Sequence, residues 1–274
     1  MLNKFRNLKK FKKLLTDNGY YVGNKFQNGE VNLIKKVIKK FDLFIDCGFH
    51  VGDISLSVRK ISQEIKIIGF DFNKNFDENL NKKFKLKKIF FKEIGLSNIK
   101  IKTNIYNYKN RPELSSLKKR YDYNPKILRT EFKLKKKIDK LDNFQKILKK
   151  NKNLFLKIDT DGSEEKILKG AKKILNKHNV SGYFEYSSGF TNFKSKLKNI
   201  FDFLYDRNFK IFRLTNSGLI NYRYYSHIDE NFFQSHYFFT NQDLKKFNFK
   251  KKKIISLTSD KFEDYYLFNW RIFY

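Results

Sequence analysis

The chain has 274 residues, of which 40% are hydrophobic, and this is enough to bury the core of one large α/β domain with additions at either end. Its single cysteine excludes an intrachain disulfide bond and a zinc site built on several cysteines. The formal net charge of +32 favours attraction to polyanions. However, the lysines are spread along the chain and its abundant residue types have AT-rich codons. Compositional drift therefore explains the charge better than a nucleic-acid partner does.

The N-terminal part is predicted to be helical, and residues 1–40 are interpreted as a helical extension. Apolar residues recur at helical spacing over residues 8–15 and 31–38, with turn-forming residues at 27–29 between them. The first 20 residues lack a continuous apolar core, and no apolar run approaches the roughly 20 residues that span a bilayer. We therefore expect a cytoplasmic protein without a signal peptide or a transmembrane segment.

From residue 41 to residue 243, short apolar runs alternate with amphipathic stretches. Strands are predicted at residues 42–46, 66–71, 89–91, 100–106, 154–159, 180–187, 210–215 and 236–240. Helices are predicted at residues 54–61, 73–84, 163–176 and 191–207. Repeated strand–helix–strand units predict an α/β domain with a mainly parallel, seven-stranded sheet and helices on both faces.

Two segments break this alternation. Residues 107–137 are polar, contain both prolines and show no clear period, so we interpret them as an excursion over the site. Residues 244–274 form a C-terminal tail that is first basic and then aromatic, with a candidate strand at 253–257. The sequence leaves open how this tail packs.

The first predicted strand runs into the loop Asp46-Cys47-Gly48-Phe49-His50-Val51-Gly52, which is the candidate cofactor site. In open α/β sheets, ligands bind at the carboxyl ends of the strands, and Gly48 lets the backbone pass close to a ligand. The dinucleotide fingerprint G-x-G-x-x-G is absent, because His50 stands at its second glycine. A carboxylate at Asp46 would repel a pyrophosphate, but it suits the ammonium and sulfonium groups of S-adenosylmethionine.

Acidic residues recur at the ends of the predicted strands in spite of the basic composition. Asp71 closes the second strand, about 20 residues beyond the loop, where a carboxylate can accept ribose hydroxyls. The other strand-end acids are Asp46, Asp159, Asp161 and Glu185. Compositional drift does not explain this placement, whereas a site for a cationic cofactor does.

Five segments together resemble the FkbM-type family of class I S-adenosylmethionine-dependent methyltransferases. They are LFIDCGFHVGD (43–53), IIGFDFNKNF (67–76), EIGLSN (93–98), IDKLD (138–142) and LKIDTDGSEEKILKGAKKIL (156–175). The last segment is the most specific, since it matches the family pattern K-I-D-x-E-G-x-E-x-x-x-L-x-G-A nearly throughout. The resemblance covers residues 41–187, with looser similarity to about residue 240. It departs from the family at Phe49, where Ala is usual, and at Asp161, where Glu is usual.

The resemblance implies a Rossmann-like fold, S-adenosylmethionine as the cofactor, and O-methylation of a sugar, glycan or similar small-molecule acceptor. The residues assigned to the cofactor are Asp46, Cys47, Gly48, His50 and Gly52 of the loop, together with Asp71, Ile94 and Gly95 outside it. By the same resemblance, the acidic corner beside the acceptor consists of Lys157, Asp159, Asp161, Gly162 and Glu164.

Three carboxylates are candidates for catalysis. Asp159 is the first, because a strand-end carboxylate that faces the cofactor methyl group can reach an acceptor hydroxyl. Glu185, at the end of the next strand, is the second. Asp161 is the third, although Asp161 and Glu164 also suit the N-terminus of the following helix. His50 could remove a proton as well, but a local packing or hydrogen-bonding role is favoured.

Other interpretations stay open. The acids at 159–164 could hold Mg²⁺, but a corner salt-bridged by Lys157 is favoured and no metal site is predicted. RNA 2′-O-methylation, or another nucleic-acid methyl transfer, is the enzymatic alternative, although no N/D-P-P-Y motif occurs. The chain could also be a binding protein that keeps the fold without the chemistry. The sequence leaves open the acceptor and the oligomeric state.

Overall fold

The computed structural model describes residues 13, 15, 17–20, 28–124, 126, 128, 131–148, 151–253 and 262–267. The strands are β1 (Leu43–Cys47), β2 (Lys66–Asp71), β3 (Ile89–Glu93), β4 (Gly95–Leu96), β5 (Ile101–Tyr108), β6 (Glu131–Asp139), β7 (Asn153–Ile158), β8 (Asn179–Tyr186), β9 (Lys210–Leu214), β10 (Gly218–Tyr222), β11 (Ser235–Thr240), β12 (Lys250–Lys253) and β13 (Phe262–Leu267). The α-helices are α1 (Glu30–Val37), α2 (Asp53–Ile61), α3 (Glu78–Leu86), α4 (Gln145–Leu148), α5 (Glu164–Gly170), α6 (Lys172–Lys177), α7 (Gly189–Phe193) and α8 (Leu197–Tyr205). Within these residues, no helix has the length and apolar character that crossing a membrane requires.

The main sheet has ten strands in the order β12-β13-β10-β9-β11-β8-β7-β1-β2-β3. The five strands from β3 to β8 are parallel, and β11 is antiparallel to both of its neighbours, β8 and β9. These seven strands, from β3 to β9, correspond to the predicted sheet. β10, β13 and β12 extend it by antiparallel pairing. The predicted fold class is confirmed, and the sheet has three further strands at one edge.

The strand order of the sheet reverses between β1 and β7. The strands β1, β2 and β3 follow one another toward one edge, and β7 then pairs with the other side of β1. Asp46 and Lys157 are ladder partners at this switch. Ligands of open α/β sheets bind in the crevice at such a point. The topology therefore brings the loop after β1 next to the segment after β7.

β1 is buried along its whole length, because the sheet is covered on both faces. Its alternate side chains enter two separate apolar clusters, with Leu43, Ile45 and Cys47 in one and Phe44 in the other. Burial raises the pKa of the Cys47 thiol. Since Asp46 is the residue directly before Cys47 on the strand, it points to the opposite face.

The helix predicted at residues 73–84 begins later, at Glu78. The Asp77 carboxylate caps α3 by accepting a hydrogen bond from the Leu80 backbone N–H at 2.8 Å. The Asn73 backbone N–H donates instead to Asp71 at 3.0 Å. The hydrogen bond to Asp71 thus holds residue 73 at the strand end, outside the helix.

Two predicted helices are each divided into two. Ala171, with φ −106° and ψ 13°, separates α5 from α6. Lys194 separates α7 from α8 in a left-handed conformation with φ 52°. Most of the first predicted N-terminal helix, and most of the candidate strand at 253–257, lie outside the described residues.

Residues 131–139 form a strand, β6, although most of them fall within the excursion predicted from the sequence. β6 pairs antiparallel with β5 and, on its other side, parallel with β4, forming a small second sheet. Its exposed lysines, Lys133, Lys135 and Lys137, alternate with Leu134 and Lys136, so the strand lacks the apolar period of a buried one. Residues 109–124, which follow β5, are called the covering segment below.

Candidate active site

A cavity of about 340 Å³ lies at the carboxyl ends of β1, β2, β7 and β8. Eight of the residues assigned from the sequence to the cofactor or to catalysis line it: Asp46, Gly48, His50, Asp71, Gly95, Asp159, Asp161 and Glu185. Lys157 of the acidic corner and Phe49 and Val51 of the loop line it as well. Of the other residues assigned to the cofactor, Cys47, Gly52 and Ile94 are described by the structure and lie outside this lining. The fold thus gathers most of the predicted site into one place.

The two glycines of the β1 loop are required by the backbone conformation and close packing of the loop, and not only by a ligand. Gly48 has a φ of 85°, and a Cβ at this position would lie 1.8 Å from the carbonyl oxygen of Asp159. Gly52 has a φ of 72° and precedes α2, and a Cβ there would lie 2.5 Å from the Phe49 ring. Both positions require the left-handed conformation and the missing side chain of glycine.

Phe49 turns its ring into the core, which explains how the loop holds a ring where the family usually has Ala. The side chain is 2% exposed, and its ring meets those of Phe76, Phe84 and Phe91 at centroid distances of 5.9, 5.2 and 5.2 Å. A Cβ at Gly69 of β2 would lie 1.9 Å from the Phe49 ring. The absence of a side chain at residue 69 therefore provides the space that the ring occupies.

Asp71 is held in place by two backbone donors. Its Oδ2 accepts a hydrogen bond from the His50 N–H at 2.9 Å, and its Oδ1 accepts one from the Asn73 N–H at 3.0 Å. Burial raises the pKa of this carboxyl, although both hydrogen bonds oppose that rise. The contact with His50 joins the end of β2 to the β1 loop, so Asp71 and the loop lie together along one edge of the cavity.

Asp46 and Lys157 form a buried ion pair at the base of the cavity. Lys157 Nζ lies 3.1 Å from Asp46 Oδ1 and donates to the Gly48 carbonyl at 2.7 Å, while Ser55 donates to Asp46 Oδ2 at 2.7 Å. Burial raises the pKa of Asp46, against the opposing effects of Lys157 and Ser55. Burial also lowers the pKa of Lys157, but Asp46 and Asp159 outweigh it and the net direction is upward.

Asp159 and Glu185, the two leading candidates for the base, have opposite tendencies to hold a proton. Burial alone would raise the pKa of Asp159, but Lys157, at 3.4 Å, and His236 lower it, as does a hydrogen bond from Glu185. Glu185 is 7% exposed, and burial followed by the charges of Asp159 and Asp161 raises its pKa well above the ordinary value. Asp159 is therefore the more readily ionised member of the pair.

Asp161 adopts a left-handed conformation with φ 56° and faces the covering segment. Arg120 Nη1 lies 3.3 Å from Asp161 Oδ2, and the same guanidinium binds Asp122 through two hydrogen bonds of 2.9 and 2.8 Å. Burial raises the pKa of Asp161 to about 6, against the opposing effect of Arg120. Asp122 also accepts hydrogen bonds from Ser188, in the loop after β8, and from Asn192 of α7, so both hold the covering segment in place.

Glu164 is fully buried, and its contacts hold the turn before α5 in place. Its carboxylate accepts hydrogen bonds from the Thr160 backbone and hydroxyl and from the Gly162 N–H, at 2.7, 3.0 and 2.8 Å. Burial raises the pKa of Glu164 to about 8, although the backbone donors oppose that rise. Within the part of the chain that the structure describes, no group of three or more His, Cys, Asp or Glu is arranged to hold a metal ion.

Several lining residues were not assigned from the sequence. The covering segment contributes Pro112, Glu113, Leu114, Ser115 and Leu117. The sequence pattern predicts that this whole group lies in the excursion, and it assigns none of the group to the cofactor or to catalysis. Gln234, just before β11, also lines the cavity and donates to Glu185 Oε1 at 2.5 Å. No motif or period marks Gln234, because its place depends on the pairing of β11 with β8.

A family model for the FkbM methyltransferase domain matches residues 46–211. The chain belongs to the FkbM family of methyltransferases. The matched region runs from Asp46 to β9 and therefore contains every predicted catalytic and cofactor residue. Gln234 lies beyond it.

Three solved methyltransferase structures are similar to this FkbM-family chain. An FkbM methyltransferase from Methylobacillus flagellatus KT is 14% identical with a TM-score of 0.42, over 72% of this chain and 43% of that one, so this chain spans less than half its length. A putative rRNA methylase from Clostridium thermocellum is 12% identical with a TM-score of 0.41, over 80% of this chain and 97% of that one. A precorrin-6y C5,15-methyltransferase from Geobacter metallireducens GS-15 is 12% identical with a TM-score of 0.38, over 82% of this chain and 94% of that one. No curated protein matches the sequence, so the family assignment depends on the domain match.

Proposed function

We propose that this FkbM-family methyltransferase uses S-adenosylmethionine to methylate a hydroxyl group of a sugar, a glycan or a similar small molecule. The observation that carries the proposal is the acidic cavity at the switch point of the sheet, in a chain whose net charge is +32. Carboxylates gathered in a cleft stabilise a cationic ligand. The sulfonium and ammonium groups of this cofactor are such a ligand.

The residues present fit this cofactor. The Gly48 backbone reaches the cavity without a side chain to shield it, and Asp71 keeps lone pairs for ribose hydroxyls beyond the two hydrogen bonds that orient it. Gly95 lines the cavity on the side proposed for the adenine. Asp46 also lines the cavity, but Ser55 and Lys157 already contact its two oxygens. We therefore assign Asp46 an electrostatic role.

The chain's own residues supply the proton chemistry. When bound, the cofactor supplies a methyl group on a positively charged sulfur, which leaves as a neutral thioether. Asp159 accepts the proton of the acceptor hydroxyl as the new C–O bond forms. Lys157 favours the ionised form of Asp159 and fixes its position. Pro112 and Leu114 of the covering segment exclude water and orient the acceptor.

A nucleic-acid acceptor is less well supported by this cavity. Asp53 and Glu113 line the cavity in addition to the acidic residues predicted from the sequence. Among the described lining residues, Lys157 is the only lysine or arginine. A phosphate that entered would meet like charges in surroundings of low dielectric constant. RNA methylation stays an alternative, which retention of the protein on RNA at moderate salt would favour.

Calorimetric titration with S-adenosylhomocysteine tests the proposal. The wild-type protein should bind it, and Asp71→Ala should weaken binding by about tenfold or more, because hydrogen bonds to a charged carboxylate are lost. Asp77→Ala is the matched control, since this nearby aspartate caps α3 and does not line the cavity. A wild-type protein that failed to bind the ligand would refute the proposed function. Equal binding by Asp71→Ala would refute the role of Asp71.

A further inference from the structure

Glu185 has one side-chain partner that comes from outside the family-matched region. Gln234 Nε2 donates to Glu185 Oε1 at 2.5 Å, and both residues line the cavity. Glu185 is 7% exposed, so this hydrogen bond fixes a carboxyl group that has little freedom and little water around it.

The backbone that carries Gln234 is itself held in place. Ser235 pairs with Tyr186 at the first position of the β8–β11 ladder, which fixes the residue directly after Gln234. Two residues before it, the Phe232 N–H donates to the Tyr186 hydroxyl at 3.0 Å, and the two rings stack with centroids 5.7 Å apart. The loop thus has a defined position next to the end of β8.

Glu185 thus has two side-chain hydrogen-bond partners, Gln234 at its Oε1 and Asp159. Asp159 also has Lys157 Nζ 3.4 Å away, a cation that favours a negative charge on Asp159 rather than on Glu185. Glu185 is buried and hydrogen-bonds to Asp159, whose side chain is 34% exposed. Two carboxyl groups in such contact do not both ionise readily, so they hold one proton between them. Asp161 and Glu164 also disfavour a charge on Glu185, whereas His236 favours one on Asp159. The hydrogen bonds and the position of Lys157 decide which group keeps it.

We propose that Gln234 is a positioning residue, which orients Glu185 so that Glu185 and Asp159 share one proton and Asp159 is the ionised member. This inference rests on the proposed methyl transfer, because it matters for turnover only if Asp159 accepts the hydroxyl proton. Glu185 is then a neutral donor to Asp159 and not a second base. The proton that Asp159 takes from the acceptor leaves the pair protonated on both groups, and loss of one proton to solvent after turnover restores the starting state.

The test is an NMR titration of ¹³C-labelled side-chain carboxyl groups in the full chain, with Glu185→Gln and Asp159→Asn used to assign the signals. Gln234→Met keeps the length of the side chain but removes the amide. In this variant, the two titration midpoints of the Glu185–Asp159 pair should each rise by about one pH unit. Glu185 loses a hydrogen-bond donor that stabilises its charge, and the donor that Glu185 presents to Asp159 is no longer held in a fixed orientation. Gln234→Asn keeps an amide that is one methylene too short, so it should shift the midpoints in the same direction.

Gln242→Met is the matched control. Gln242 lies just beyond the other end of β11 and donates to Ser181 of β8 at 3.3 Å, so its substitution perturbs the same strand pair away from the cavity. It should leave both midpoints unchanged. Unchanged midpoints in both Gln234 variants, or equal shifts in the Gln242 variant, would overturn the inference. Failure of the proposed function is seen separately, as loss of S-adenosylhomocysteine binding by the wild-type protein.

Discussion

Gly48 and the carbonyl oxygen of Asp159 approach so closely that a Cβ at residue 48 would lie 1.8 Å from that oxygen. The two residues follow β1 and β7, which are neighbouring parallel strands, and the Asp159 N–H donates to the Cys47 carbonyl at 3.0 Å. The loop proposed for the cofactor and the proposed base are therefore packed backbone against backbone. A side chain added at residue 48 would therefore displace the backbone of Asp159.

Gly48→Ala should destabilise the fold and displace Asp159. The φ of 85° is unfavourable for alanine, and the new Cβ would meet a backbone oxygen that cannot rotate away. We expect a loss of more than about 2 kcal/mol in the free energy of unfolding, measured by urea denaturation. Lys60→Ala on the exposed side of α2 is the control and should stay within about 0.5 kcal/mol of wild type. Wild-type stability of Gly48→Ala would contradict the close approach.

The β1 loop and the acids at the strand ends could be predicted because each depends on a local pattern. A buried strand that contains Asp46 and runs into Gly48, and another that ends in Asp71, can be identified without knowing what packs on them. Parallel topology then requires these ends to meet at one edge of the sheet. The fold class, and the edge of the sheet at which the candidate site lies, follow from these patterns.

Contacts between distant segments could not be predicted in this way. Gln234 reaches Glu185 only because β11 inserts antiparallel between β8 and β9, an order that no sequence period encodes. Arg120 reaches Asp161 because the covering segment folds back over the cavity. The direction of the Phe49 ring likewise depends on space at Gly69, in a different strand.

Phe49 and Gly69 should be energetically coupled. Phe49→Ala removes a ring that is 2% exposed and should cost about 3 to 5 kcal/mol of unfolding free energy, although it restores the residue usual in the family. Gly69→Ala should also destabilise the wild type, since its Cβ would lie 1.9 Å from that ring. In the double variant the methyl group added at residue 69 occupies part of the vacated space. A double-mutant cycle by urea denaturation should therefore give a favourable coupling of at least about 1 kcal/mol, whereas additive losses would contradict it.

Asp161 should make stability fall as the pH rises from about 4 to 6. Its pKa is raised from 3.8 to about 6 in the folded chain, so within this window the native state binds more protons than the unfolded state. Asp161→Asn removes the titration and tolerates the left-handed conformation. Relative to this variant, the wild type should lose about 1 to 2 kcal/mol of unfolding free energy across the window, allowing for the 25% exposure of the side chain.

Asp122 supplies a control of opposite sign for that experiment. Burial would raise the pKa of Asp122, but hydrogen bonds from Arg120 and Asn192 lower it below the ordinary value. The wild type should therefore gain stability relative to Asp122→Asn as the pH rises toward neutrality, and lose it as the pH falls through the lowered value. Urea denaturation of the three proteins at several pH values gives both comparisons. Parallel curves for wild type and Asp161→Asn would contradict the raised pKa.

Asp159→Ala should abolish methyl transfer while cofactor binding persists. Asp159 accepts the hydroxyl proton in the proposed reaction, and general-base catalysis contributes about 10² to 10⁴ in rate. We expect a fall of at least about 100-fold in the transfer of labelled methyl groups to the acceptor that the wild type methylates. Calorimetry with S-adenosylhomocysteine should show an affinity close to wild type, which separates chemistry from binding. Asp202→Ala removes an aspartate of α8 that pairs with Lys198 at the surface, and it should keep the wild-type rate. Unchanged turnover in Asp159→Ala would refute its assignment as the base and leave the family assignment intact.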